Sequence, residues 1–247
     1  MHPLFCEEKG PNFIRYIGHR GFTPLAPENS LPSFAYAGRL GQWAIETDVR
    51  LTRDGVAVCN HDADIQRTYN GAGAIREMTM RELSKYRIAT GSRQACFSDE
   101  EMRMPLFSEY LTICRRSGCV PFFELKTEDI DPILWQMRKA GFADGEVIAS
   151  SVHFSILKAV RHAAPEMFIH WIFASEAHID DLAACENAGL SLNEMDLSLP
   201  WLPEKVRALH EKGLKVCLRA ADSAEAVRRM MDMKLDYLPT NCMHPRL

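Results

Sequence analysis

Glu46 and Asp48 stand two residues apart in the run Ile45-Glu46-Thr47-Asp48-Val49. On a strand that spacing puts both carboxylates on one face. Two carboxylates on a mostly apolar strand repel each other, and a divalent cation is an economical way to offset this. A second pattern, Phe122-Phe123-Glu124-Leu125-Lys126, places Glu124 and Lys126 on one face at the end of another apolar run. Three carboxylates without a cysteine or histidine ligand pattern favour a hard cation, Mg²⁺ or Ca²⁺, over zinc. The plainer alternative is that Glu46 and Asp48 pair with Arg50 or Arg53 at a strand end.

Two histidines accompany these acids. His19 follows the apolar run 13–17, and His61 follows the run 56–60. Histidine titrates near neutrality, so a pair can supply a general base and a general acid. Arg20 and Lys126 add cations; arginine holds a phosphate by two parallel hydrogen bonds and lysine acts as a point charge. A metal, two cations and two histidines suit phosphodiester cleavage, in which charge grows on phosphate oxygens while one proton is removed and another delivered. Arg20 has a competing use as an ion-pair partner of Glu28, and both can hold together. His2, His153, His162, His170, His178, His210 and His244 are read as packing or surface residues.

These side chains need a scaffold that brings strand ends together. Strand-like runs occur at 13–17, 44–49, 56–60, 120–125, 146–152, 168–173, 194–197, 215–218 and 237–239. Helical patterns lie between them at 30–40, 108–116, 131–140, 179–188, 203–212 and 224–233. All but the last are followed by a glycine, the expected stop. Alternating strands and helices imply a largely parallel sheet, either a (β/α)8 TIM barrel or an open doubly wound sheet. In a barrel, active sites sit at the C-terminal ends of the strands, where all these residues fall. Asp54-Gly55 marks a hairpin between runs 44–49 and 56–60. The chain from Asp62 to Met104 breaks the rhythm and reads as a small insertion on the barrel rim after the second strand. No linker divides residues 1–247, so one domain is expected.

The chain has 247 residues, close to the ~250 of one such barrel. A net charge of −4 argues against a large nucleic-acid footprint but permits a small anionic substrate. The eight cysteines are scattered without a CxxC, as expected of reduced thiols in a cytoplasmic protein. Residues 1–12 lack an apolar signal core, and no stretch approaches the ~20 apolar residues of a membrane span. Neither nucleic acid nor stable membrane insertion is expected; a homo-oligomer is left open.

The ordered motifs resemble those of the glycerophosphodiester phosphodiesterase family. That family runs His-Arg-Gly, Pro-Glu-Asn-Ser/Thr, Glu-x-Asp-Val, Thr-x-Asp-Gly and His-Asp; here these are residues 19–21, 27–30, 46–49, 52–55 and 61–62. Further likenesses are Arg67-Thr68 through Gly71-Ala72-Gly73, Thr79-Met80-Arg81-Glu82-Leu83, Pro105 to Glu109, and Glu124-Leu125-Lys126. The resemblance implies a TIM barrel with metal ligands Glu46, Asp48 and Glu124, acid–base histidines His19 and His61, and Arg20 facing phosphate. It implies hydrolysis of glycerophosphodiesters to glycerol 3-phosphate and an alcohol, by attack of the substrate's own 2-hydroxyl and opening of the cyclic phosphate by water. Which histidine is base and which acid stays open.

The C-terminal third departs from the pattern. Where the family often carries Trp-Thr-Val-Asn, this chain continues Val216-Cys217-Leu218-Arg219, and Thr-Asp-x-Pro becomes Thr240-Asn241-Cys242-Met243. An aromatic pocket wall is thereby lost or replaced, with Arg219, Trp171 and Trp201 as candidates. Two other readings remain: a lysophospholipid phosphodiesterase or phospholipase D-like enzyme on the same barrel, and a binding protein with a dead site.

Overall fold

A computed structural model describes residues 2–5, 13–194 and 196–246. The absent signal core read over 1–12, Cys6, and Met195 within the run 194–197 fall wholly or partly outside them. Among the described residues eight strands are parallel: β1 (Tyr16–Gly18), β2 (Ala44–Leu51), β4 (Val120–Leu125), β5 (Ile148–Ser151), β6 (Phe168–Trp171), β7 (Ala188–Leu192), β8 (Lys215–Leu218) and β9 (Leu238–Thr240). Their order is β8-β7-β6-β5-β4-β2-β1-β9. The ends of this path meet: the Asp236 N–H donates to Val216 O (3.0 Å), and the Val216 N–H donates to Asp236 Oδ2 (2.8 Å). The architecture is the TIM barrel rather than the open sheet. β3 (Ala57–Cys59) runs antiparallel to β2 after the Asp54-Gly55 turn, outside this order.

Period-two alternation assigns the faces. On β2, Ile45 and Val49 pack outward into the layer beneath the helices, with Phe34, Leu111 and Phe123. Ala44 turns inward to the barrel floor with Ile17, Phe122, Ile148, Phe168 and Tyr237. Glu46 and Asp48 share the inward phase of Ala44. The outer layer holds α1 (Leu31–Arg39), α3 (Phe107–Ser117), α4 (Asp131–Lys139), α5 (Phe154–Ala163), α6 (Ile179–Ala184), α7 (Leu202–Glu211) and α8 (Ala224–Asp232). Ser30 caps α1, its hydroxyl accepting from the Ser33 N–H at 3.2 Å while Ser33 Oγ accepts from the Ser30 N–H. Helix α8, which lacks a stop glycine, ends instead with Lys234 in the left-handed region (φ 60°).

Two elements are corrected, and α5 has no counterpart among the helical patterns read from the sequence. The seventh strand is Ala188–Leu192, not the run 194–197, and the helix before it ends at Ala184 rather than at 188. Gly189, read as a helix stop, is a strand residue. A Cβ there would come 2.5 Å from Tyr237 Oη and 2.8 Å from Lys215 O, so the close approach inside the barrel accounts for the glycine. Glu194 instead pairs with Lys205 (3.0 Å).

Between β3 and α3 the chain makes a compact rim segment. Ile65, Tyr69, Ile75, Leu83, Ile88 and Met102 form an apolar cluster of their own against Val58. Within it α2 (Met80–Leu83) begins at a capping box of Thr79 and Glu82. Seven described cysteines are free. Among the described residues no helix is long and apolar enough to cross a membrane.

Candidate active site

Strand register brings the acids together. Asp48 lies opposite Glu124 in the β2–β4 ladder, and Glu46 opposite Phe122. Oxygens of Glu46, Asp48 and Glu124 all lie within 4.8 Å of one another, and the three residues are buried. Neither Arg50 nor Arg53 pairs with them: Arg50 donates to the His61 carbonyl (2.6 and 3.1 Å), and Arg53 pairs with Glu82. The plainer alternative for the acid pair is therefore not realised.

Two cations touch the cluster unevenly. Lys126 Nζ stands 2.7 Å from Glu124 Oε1 and 3.2 Å from Asp48 Oδ1, and Arg20 Nε is 3.5 Å from Asp48 Oδ2. Asn29 Nδ2 also donates to Asp48 Oδ2 (2.9 Å), and its own Oδ1 accepts from Thr47 Oγ1 (2.8 Å). Glu46 receives only the Arg20 backbone N–H (2.8 Å) among the described residues. Burial and the nearby Asp48 charge push its carboxyl well above the ordinary range. Glu124 is likewise pushed up by burial, against the pull of Lys126. Burial acts on Asp48 in the same sense, but Lys126 and Arg20 outweigh it and hold that carboxyl low. Among the described residues Glu124 Oε1 is buried without a well-directed hydrogen bond despite the nearby ammonium. Three hard oxygen donors, one buried acceptor left over and two cations against three acids fit a hard divalent cation held by Glu46, Asp48 and Glu124.

The β1–α1 turn carries His19 and Arg20. Arg20 is left-handed (φ 56°), which aims its N–H at Glu46. Gly21 (φ 89°) lets the turn seat on α1, where a Cβ would come 2.7 Å from Ser33 Cβ. Arg20 also pairs with Glu28 (3.0 Å), so both uses expected of it hold together. The His19 N–H donates to Thr240 O (3.0 Å), and His19 Nδ1 lies 3.0 Å from Asn241 Oδ1. Burial, then the Arg20 charge, pushes its imidazole down to about 4, so it is neutral at pH 7. His61 follows β3, its Nδ1 2.7 Å from Asp62 Oδ1. Asp62 and Glu28 are both bound by Arg67, which ties the rim segment to the β1–α1 turn.

His19, Arg20, Glu46, His61, Glu124 and Lys126 line one cavity of about 150 Å³ at the C-terminal mouth of the barrel. All seven sequence-selected residues are thus gathered, Asp48 through its closeness to Glu46, Glu124 and Lys126. His170, read from sequence as a packing residue, lines the same cavity and is buried, with Nδ1 2.5 Å from Tyr237 Oη. Neither tryptophan supplies the pocket wall: Trp171 is buried and stacked on Phe154 (4.6 Å), and Trp201 is exposed beside Lys205. The wall is built by Phe173, with Arg219 over its ring at 5.9 Å. Sequence reading misses Phe173, Asn29 and Asp222, whose Oδ2 accepts from Asn241 Nδ2 (2.6 Å) beside His19. Asn29 carries a signal, since it lies inside Pro27-Glu28-Asn29-Ser30; the others do not.

A family model described as the glycerophosphoryl diester phosphodiesterase family matches residues 19–244. A glycerophosphodiester phosphodiesterase of Caldanaerobacter subterraneus is 27% identical over 233 residues, covering 91% of this chain and 93% of that protein. Mouse glycerophosphodiester phosphodiesterase 1 is 36% identical over 114 residues, 46% of this chain and 34% of the relative's length. Among solved structures, an Oleispira antarctica phosphodiesterase in complex with the product sn-glycerol-3-phosphate superposes with a TM-score of 0.80, at 24% identity and 92% coverage of each chain.

Proposed function

The chain belongs to the glycerophosphoryl diester phosphodiesterase family, and we propose that it hydrolyses glycerophosphodiesters to glycerol 3-phosphate and an alcohol in a metal-dependent reaction. The observation that carries this is the three-carboxylate cluster opening into the same cavity as His19, His61, Arg20 and Lys126. Glu46, Asp48 and Glu124 would hold Mg²⁺ or Ca²⁺, which supplies Lewis-acid stabilisation of phosphate charge when bound. Arg20 and Lys126 orient the phosphate and neutralise its oxygens. One histidine takes the proton of the glycerol 2-hydroxyl as that oxygen bonds to phosphorus. The other protonates the leaving alcohol oxygen as its bond to phosphorus breaks. Water then opens the cyclic phosphate with the two roles exchanged. Residues 62–104 are read as an insertion within one domain, closing the site's edge through Arg67. The free cysteines suit a cytoplasmic setting.

One observation favours a second reading. Val152 and Phe173 are exposed apolar side chains lining the cavity, at 40% and 47% exposure, and would suit a lysophospholipid's acyl chain. Purified protein should release glycerol 3-phosphate from glycerophosphodiesters with Mg²⁺ or Ca²⁺ and not with chelator. His19→Ala and His61→Ala should each lose about 100-fold or more. Turnover on lysophospholipids alone would favour the second reading; bound metal without turnover on either would reject both.

A further inference from the structure

We infer that Asp222 and Asn241 form a positioning relay that fixes the tautomer of His19 and so makes it the base of the first step. The inference rests on the acid–base reading of the site given above. Asp222 lies in the loop after β8, and Asn241 directly follows β9.

The assignment turns on which groups can donate. An ionised carboxylate can only accept. Asp222 Oδ2 accepts from Asn241 Nδ2 at 2.6 Å. Asp222 Oδ1 accepts from the Asn241 backbone N–H at 2.6 Å and from Thr240 Oγ1 at 2.9 Å. Three contacts to one carboxylate leave the Asn241 amide a single orientation, with nitrogen toward Asp222 and oxygen toward His19. That oxygen cannot donate, so the 3.0 Å contact with His19 Nδ1 requires the proton on the imidazole. A neutral imidazole carries one N–H, so Nε2 keeps its lone pair. Nε2 makes no hydrogen bond among the described residues, and His19 lines the cavity. The backbone contact from the His19 N–H to Thr240 O holds the ring in place along the same strand end.

His19 therefore meets substrate as a proton acceptor. In ring closure the 2-hydroxyl proton passes to Nε2 while its oxygen bonds to phosphorus. His61 is left to protonate the departing alcohol oxygen as the second P–O bond breaks. When water opens the cyclic phosphate, His19 returns its proton to O2 and His61 takes one from water, which restores both residues.

The test uses full-length protein with Mg²⁺ and ¹⁵N-labelled histidine. Long-range ¹H–¹⁵N correlation should find the His19 proton on Nδ1 in the wild type. Asp222→Ala should lower kcat about 10- to 100-fold with KM changed less than threefold, and should mix the tautomers. The double variant Asp222→Asn with Asn241→Asp should restore kcat to within about fivefold, because an amide at 222 then donates to a carboxylate at 241, which again accepts from Nδ1–H. A wild-type proton on Nε2 would overturn the inference, and so would unchanged kcat in Asp222→Ala or a double variant as slow as the single. The wild-type tautomer decides between the two assignments even if a variant fails to fold. Absence of wild-type turnover alongside Nδ1 protonation would instead defeat the functional reading and leave the relay.

Discussion

Replacing Glu46 by glutamine should have opposite effects with and without metal. Without metal, Glu46 lies within 4.8 Å of two other carboxylates and receives a single backbone N–H. At an effective dielectric of 20, each such pair of ionised carboxylates would repel by roughly 3 kcal/mol, partly offset by Arg20 and Lys126 and partly by proton uptake at Glu46, whose carboxyl is pushed up. An uncharged amide of the same shape removes that repulsion, so chelator-treated Glu46→Gln should be about 1–2 kcal/mol more stable than the wild type. For a chain of this size that is a Tm higher by about 2–8 °C. With metal at a hundredfold excess over Kd, the wild type should gain about 2.7 kcal/mol, or about 5–10 °C. The variant, having lost one of three charged oxygen donors, should gain less than half of this. Differential scanning calorimetry at pH 7.5, with EDTA or with Mg²⁺ and Ca²⁺, measures both terms. A variant less stable than the wild type in EDTA, or one that keeps the whole metal-induced shift, would refute the assignment of Glu46 as a metal ligand strained by its neighbours.

Gly189→Ala should cost about 1–3 kcal/mol in urea unfolding, because its Cβ would press on Tyr237 Oη and the Lys215 carbonyl; a loss below about 0.5 kcal/mol would show that the strand gives way. Burial pushes His170 down to about 3. The unfolded imidazole therefore binds a proton below about pH 6.5 while the folded one does not. This contribution to stability is complete above pH 6.5 and is lost as pH falls toward 3, by up to about 1.4 kcal/mol per pH unit. Urea melts between pH 7 and 4 should show a shallower loss in His170→Leu, and equal slopes would remove the argument. Arg219 lines the cavity without a carboxylate partner among the described residues, so Arg219→Glu should shift relative kcat/KM from anionic toward cationic headgroups by about three- to tenfold. An unchanged ratio between glycerophosphoserine and glycerophosphocholine would place the headgroup elsewhere.

The chemistry of the site is legible in the sequence where it is local. Period-two alternation alone puts Glu46 with Asp48, and Glu124 with Lys126, on single faces, and the apolar residues between them mark those faces as strands. The order of His-Arg-Gly, Glu-x-Asp and His-Asp then ties them to one strand-end rim. The seventh strand escapes such reading because Ala188 and Gly189 carry no strand signal of their own; the glycine there answers to Tyr237, 48 residues away, and not to its neighbours.

The relay shows the same division. Asn241 stands where the resembled family often carries an aspartate. Folding sets β9 beside β1, with Ile17 opposite Pro239, and brings the loop after β8 up against the end of β9. The missing carboxylate is thereby supplied by Asp222, through the amide. Residue types and spacing determined which groups face inward and what chemistry they could do. Only closure of the ring decided which groups meet across it, since strand periodicity fixes a face but carries no information about the neighbouring strand.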